Sequence, residues 1–264
     1  MRSIVAATTA IILALAATTA SAGVVISQHL VVSNQAGETK GEQTVILQGN
    51  KKKVTNSERE VITDLDGGKM YIVNPRAKAY AEIKLPPGGV FARIMERYGV
   101  SIAYKKSGGT HKVAGYDCQD YAGTARTGHN TIEATECVAS DAAGAREFVA
   151  FHQALAKKLK GTPLEAKGEI PDGIPVSSTI TTASISFPIP PGFSPEQIAK
   201  LKAAMAKAKP DVHTATVTKI EVKDVPASAF VVPADYNKQD VQPPQLSGAA
   251  TAVAPAAAVS PTSH

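Results

Sequence analysis

The chain has 264 residues, with 28 Lys and Arg against 23 Asp and Glu, no Trp and two Cys. That length supports a buried core without dependence on cross-links, in one large domain or two small ones, and we expect one. A net charge of +5 with 5% aromatic residues, the positive charge being dispersed, excludes the basic stripe with stacking aromatics that nucleic-acid binding requires.

Residues 1–22 read as a secretory signal peptide. Arg2 supplies the basic start, an apolar run covers 4–17, and Ala20-Ser21-Ala22 forms an A-x-A cleavage site before Gly23. The apolar run is shorter than the ~20 residues of a membrane span, so no integral membrane segment is expected after cleavage. Localisation is then periplasmic or secreted, and loss of Arg2 with the leader takes the formal charge from +5 to +4.

The mature chain opens with alternating segments. Val24, Ile26, Leu30 and Val32 share one parity, which predicts a half-buried strand. TVILQGNKKKVTN repeats the pattern around the turn pair Gly49-Asn50, and Lys51-Lys52-Lys53 reads as a solvated hairpin tip. Val61, Thr63 and Leu65 form the next face, Met70 and Ile72 another, then Ala79, Ala81, Ile83 and Leu85. Short strands separated by tight turns predict an antiparallel meander. After Pro86-Pro87-Gly88-Gly89, a short helix is expected over 90–100. Strands follow around 102–104, 112–121 and 131–139.

From 141 to 160 the period changes. Phe148, Phe151, Leu155 and Leu159 recur at three and four residues, with Asp141 at the start and Lys157, Lys158 and Lys160 near the end, as the helix dipole favours. His152, beside this stripe, reads as a boundary residue. A second helix is predicted from SPEQIAKLKAAMAKAKP, where Ser194 and Gln197 complete a capping box and Ile198, Leu201, Met205 and Ala208 form the apolar stripe. Strand-like segments flank it. Residues 23–237 make the single domain, and residues 238–264, rich in Ala and Pro, read as a disordered tail.

Cys118 and Cys137 are the whole cysteine complement. They lack the C-x-x-C spacing of redox motifs and the extra ligands of a zinc site, so in an exported protein they are expected to form a disulfide. A loop of that size contributes roughly 3 kcal/mol. The six histidines are scattered, and no nucleophile elbow, zinc-protease motif or phosphate loop occurs. Asp117 and Asp120, and Glu133 and Glu136, read as charges on exposed strand faces.

TVILQGNKKK, VITDLDGGKMYIVNPRAKAY, GYDCQDY, ECVA and VPADY together resemble an uncharacterised family of exported bacterial proteins, a domain of unknown function with the half-barrel of the Lol-type lipoprotein carriers. The resemblance covers about 23–237 and departs from short members at the Pro-Gly insert near Pro86 and at the tail. It implies an α+β fold: a large curved antiparallel sheet, an open half-barrel, with two or three helices packed on its concave face. In the carriers that concavity shelters acyl chains. The expectation is therefore a non-enzymatic extracytoplasmic binding protein for an apolar ligand, a lipid or an acylated protein, with Phe148, Phe151, Leu155 and Leu159 in the groove. The alternative is an envelope protein–protein interaction or structural module in which the same residues form a sealed core. No enzyme activity, cofactor or metal is expected.

Overall fold

The computed structural model describes residues 22–88, 102–126, 130–162, 165, 168, 170–184, 194–206 and 209–240. The leader before Ala22, the helix expected over 90–100 and the tail beyond Asp240 lie outside them. The described residues form one sheet of 12 strands in the order β12-β6-β5-β4-β3-β2-β1-β11-β10-β9-β8-β7. Six strands form a first meander: β1 (Gly23–Asn34), β2 (Gly37–Gln48), β3 (Lys51–Asn56), β4 (Glu60–Asp64), β5 (Lys69–Asn74) and β6 (Ala79–Lys84). A second comprises β7 (Ala103–Val113), β8 (Tyr116–Arg126), β9 (Asn130–Ala139), β10 (Ile174–Ser184) and β11 (Asp211–Lys223). Antiparallel pairing of β1 with β11 joins them into one sheet. Its ends, β7 and β12 (Asn237–Gln239), are edges, so the sheet is open. β12 pairs with β6 in parallel, and it takes in Lys238 and Gln239, two residues beyond the boundary read from composition.

Turn chemistry sets the register of the first meander. Gly49, at φ +54, and Asn50 close a two-residue hairpin in which Gln48 pairs with Lys51. Asp64 accepts a hydrogen bond from the Gly67 N–H (2.9 Å) and Asn74 one from the Ala77 N–H (3.1 Å), which close the next two turns.

Several strands are buried on both faces rather than half-buried. Val24 and Ile26 join the main core while Val25 joins a separate cluster, and Val61 and Ile62 split the same way, as do Ile72 and Val73. The second cluster exists because residues 225–236 return over the sheet, bringing Val225, Phe230, Val232 and Tyr236 against Val25, Ile62 and Val73. Near-continuous apolar runs such as VVI and VIT follow from that double coverage.

The main core lies under helix α1 (Ala145–Leu159), which packs on β1, β2 and β10. Gly144 precedes it at φ +80, where a Cβ would overlap the Val24 side chain, so a glycine lets the helix start sit against β1. Helix α2 (Pro195–Ala206) begins with the expected capping box: the Gln197 N–H donates to Ser194 Oγ (3.3 Å) and the Ser194 N–H to Gln197 Oε1 (2.8 Å). Of the two or three helices expected on the sheet, two are among the described residues, and α1 packs a buried face on β1, β2 and β10. Over 194–200 of α2, Ile198 is half-buried and its neighbours are exposed. An Ala- and Lys-rich helix offers little apolar area to bury. No helix among the described residues is long and apolar enough to cross a membrane.

Candidate functional site

The β2–β3 hairpin reverses one expectation. Counting from its turn, Lys52 pairs with Leu47 and Val54 with Val45, so the middle lysine shares the inward face with valine and leucine. Lys51 and Lys53 point the other way and pair with Asp64 (3.6 Å) and Glu60 (2.8 Å). Lys52 is 5% exposed, and is not part of a solvated tip. Its Nζ lies 3.3 Å from Nε2 of His152 on α1 and 5.9 Å from the centre of the Phe151 ring. Burial pulls the lysine down to about 8. Burial and then the Lys52 ammonium hold His152 well below the usual histidine range, so its imidazole is neutral and Nε2 accepts from the ammonium. His152 is thus a core residue bonded to β3 and packed on Phe148, at a ring-centre distance of 4.1 Å.

A second ionisable group reaches the interior from β9. Glu136, expected on an exposed strand face, is 3% exposed. Tyr104 on β7 donates its hydroxyl to Glu136 Oε1 (2.9 Å), and Oε2 has no partner among the described residues. The tyrosine crosses β8 at Gly123, where a Cβ would overlap Ile102 and lie 3.2 Å from the Tyr104 ring. Burial pushes the Glu136 carboxyl up to about 8, against the opposing effect of the Tyr104 hydrogen bond. Burial and the neighbouring Glu136 push the Tyr104 hydroxyl up in turn.

Lys52 and Glu136 line one cavity. Its volume is about 120 Å³, and its apolar wall includes Ile26, Val45, Val54, Phe148, Ile174 and Ile180. A hydrogen-bonded pair, Gln28 and Gln43 (2.9 Å), lies along one side. Toward the far end of β1 the lining passes to the half-buried Leu30, Val31 and Val32, opposite His213 and Ala215 of β11. Ile26, Val45 and Lys52 are buried and Leu30, Val31 and Val32 half-buried, while Glu136 lies in the row of Leu30 through Ala215 and Ser178. A void of ~150 Å³ holds a benzene-sized body, so this one takes a compact group or the end of a longer molecule.

Of the four groove residues read from sequence, Phe148 lines the cavity, while Phe151, Leu155 and Leu159 are packed into the main core under α1. Cys118 and Cys137 are joined in a disulfide at diagonal positions on β8 and β9, with Cα atoms 5.3 Å apart. Folding also brings His111 to them: its Nδ1 lies 3.9 Å from Cys137 Sγ and 3.4 Å from Asp120 Oδ2. The three ligand-type atoms of His111, Cys118 and Cys137 lie within 4.8 Å of one another, but sulfurs bonded to each other have no thiolate to offer a metal.

An open antiparallel sheet with one helix over a small, mostly apolar cavity defines the class of protein. The chain belongs to the family described as a domain of unknown function, DUF4412, whose model matches residues 30–183, in keeping with the resemblance to an uncharacterised domain. No curated protein matches it. Among solved structures, the chain is similar to PNGF-II, at 10% identity and a TM-score of 0.37, covering 83% of this chain but 31% of that one. It thus spans about a third of that protein. It is also similar to a LolA superfamily protein from Nitrosomonas europaea, at 8% identity and a TM-score of 0.29, covering 81% and 91% of the two chains. A DUF1329 family protein from Desulfovibrio piger shows 7% identity and a TM-score of 0.33, with the same coverages, 81% and 91%.

Proposed function

We propose that this protein is a non-enzymatic extracytoplasmic binding protein, and that its ligand is a lipid or another amphiphile whose end enters the cavity between α1, β1–β3 and β9–β11. The observation that carries the reading is the cavity itself, with Ile26, Val45, Val54 and Phe148 around its deep part and Leu30 and Val32 toward its mouth. Each methylene moved from water into such a space contributes ~0.8 kcal/mol. The leader-like start of the chain and the Cys118–Cys137 disulfide support an oxidising, exported setting.

The packing of Phe151, Leu155 and Leu159 favours a second reading, an envelope interaction module whose sheet is sealed by α1. One experiment separates them. Mature protein purified without detergent is extracted with organic solvent and the extract analysed by mass spectrometry, alongside titration with a fluorescent fatty acid. Recovered lipid or saturable binding is expected. Folded protein giving neither result leaves the interaction module as the better account.

A further inference from the structure

We propose that Glu136 is a polar anchor for a neutral ligand, its second carboxyl oxygen donating a hydrogen bond to the carbonyl of an acyl ester held in the cavity. This rests on the binding reading above and narrows the ligand to an esterified lipid rather than a free acid.

Three observations carry it. First, the carboxyl is buried and half used: Tyr104 donates to Oε1, and Oε2 has no partner among the described residues although Glu136 lines the cavity. A buried polar atom left in that state is unfavourable until something bonds to it. Second, the strand register leaves room beside it. Glu136 is level with Ser178, then Ala215, then Leu30, and all four line the cavity. Strands lie about 4.8 Å apart, so two short side chains separate the carboxyl from Leu30 and leave that stretch of the row low. Third, the surroundings suit an uncharged acceptor. Gln28 and Gln43 bond to each other, and Ile180, Val32 and Ala215 offer no side-chain acceptor. An ester carbonyl accepts one bond and brings no donor of its own, whereas a carboxylate would bring a charge with no cation beside Glu136 to balance it. The titratable groups facing Glu136 are Tyr104 on β7, Tyr121 beside it on β8, His213 on β11 and Lys52 on β3, with the exposed Lys106 beyond Tyr121. Burial keeps the carboxyl protonated at neutral pH, and therefore a donor.

The probe is methyl decanoate carrying carbon-13 at its carbonyl, read by infrared difference against the unlabelled ester and by calorimetric titration. In wild type at pH 6 the bound carbonyl is expected to show the lowered stretching frequency of a hydrogen-bonded ester. Glu136→Leu should lose that shift and bind the ester about 3- to 10-fold more weakly, the scale of one neutral hydrogen bond. Glu136→Gln, whose oxygen can accept from Tyr104 while its N–H donates to the ligand, should keep both. Between pH 6 and pH 9 wild-type affinity should fall as the carboxyl ionises, while Glu136→Gln, which retains Lys52, His213 and the tyrosines, stays flat. An unshifted carbonyl in wild type, a shift that persists in folded Glu136→Leu, or an equal fall with pH in Glu136→Gln overturns the anchor. Wild type that binds the fluorescent fatty acid but not the ester overturns the anchor alone, and wild type that binds neither overturns the binding reading with it. The wild-type infrared measurement needs no variant, so the outcome does not depend on how Glu136→Leu folds.

Discussion

Replacing Glu136 by Gln makes stability report directly on the buried carboxyl. The folded protein holds that group at about 8, against an ordinary 4.5. A carboxyl raised in this way binds its proton more tightly when folded. Its contribution is fully present below pH 4.5 and is lost as pH rises through 8. Within that window the loss approaches 1.4 kcal/mol per pH unit, so about 3 kcal/mol disappears between pH 5.5 and 7.5. Gln keeps an oxygen to accept from Tyr104 but does not titrate. Urea unfolding of wild type and Glu136→Gln at the two pH values is expected to show the gap shifting toward the variant by that amount. His152 and His213, which burial lowers, are present in both proteins and cancel in the difference. A gap constant to within about 0.5 kcal/mol would refute a protonated Glu136.

Four further outcomes are expected. Lys52→Met, which trades a buried ammonium for an apolar chain, should stabilise the ligand-free protein at pH 7 by up to about 3 kcal/mol. Because the lysine sits at about 8 rather than 10.5, its penalty is lost as pH rises, so in denaturant titrations the advantage should shrink from pH 8 to 10.5. Cys118→Ala with Cys137→Ala should lower stability by about 3 kcal/mol for a bridge of sequence separation 19, seen as a lower melting temperature. Gly123→Val should destabilise by about 1–3 kcal/mol and move Tyr104 off Glu136, read as a changed near-ultraviolet tyrosine signal. Phe230→Ala should remove about 3–5 kcal/mol in urea unfolding, because its ring anchors the returning 225–236 segment to the sheet.

Much of the meander was legible because its information is local. Gly49-Asn50 marked a turn, the Ser194 and Gln197 pair marked a helix start, and the parity of Val61, Thr63 and Leu65 matched the buried face. Lys52 was legible in principle: counted from the turn it shares parity with Val54, but a run of three lysines reads as solvated when charge is weighed above period. Glu136 was harder. Register shifts between Ser27 and Gln28 and between Pro175 and Ser177 change which parity faces the cavity, and nothing local announces them. The pairing of β1 with β11 joins residues up to 200 positions apart, as Gly23 with Lys223 shows. The cavity lies across that junction, so the sequence displayed the strands that build it without displaying the site.

The two ionisable groups bear on the choice between a sealed core and a binding site. A core serving only stability gains from apolar side chains that fill it, and exchanging buried charged groups for them is often neutral or stabilising by about 1–4 kcal/mol. Here Lys52 faces a neutral imidazole and Glu136 keeps an oxygen without a partner among the described residues, both lining the same cavity. Each group is therefore less stable than the same position could be with leucine or methionine. A polar group of a ligand changes that balance at whichever of the two it reaches, by supplying the missing hydrogen-bond partner or charge. Binding of this kind stabilises the fold by mass action, in proportion to the logarithm of ligand concentration over Kd. Features unfavourable to a sealed core are then a source of affinity for a ligand, with the apolar lining left tolerant of chain length.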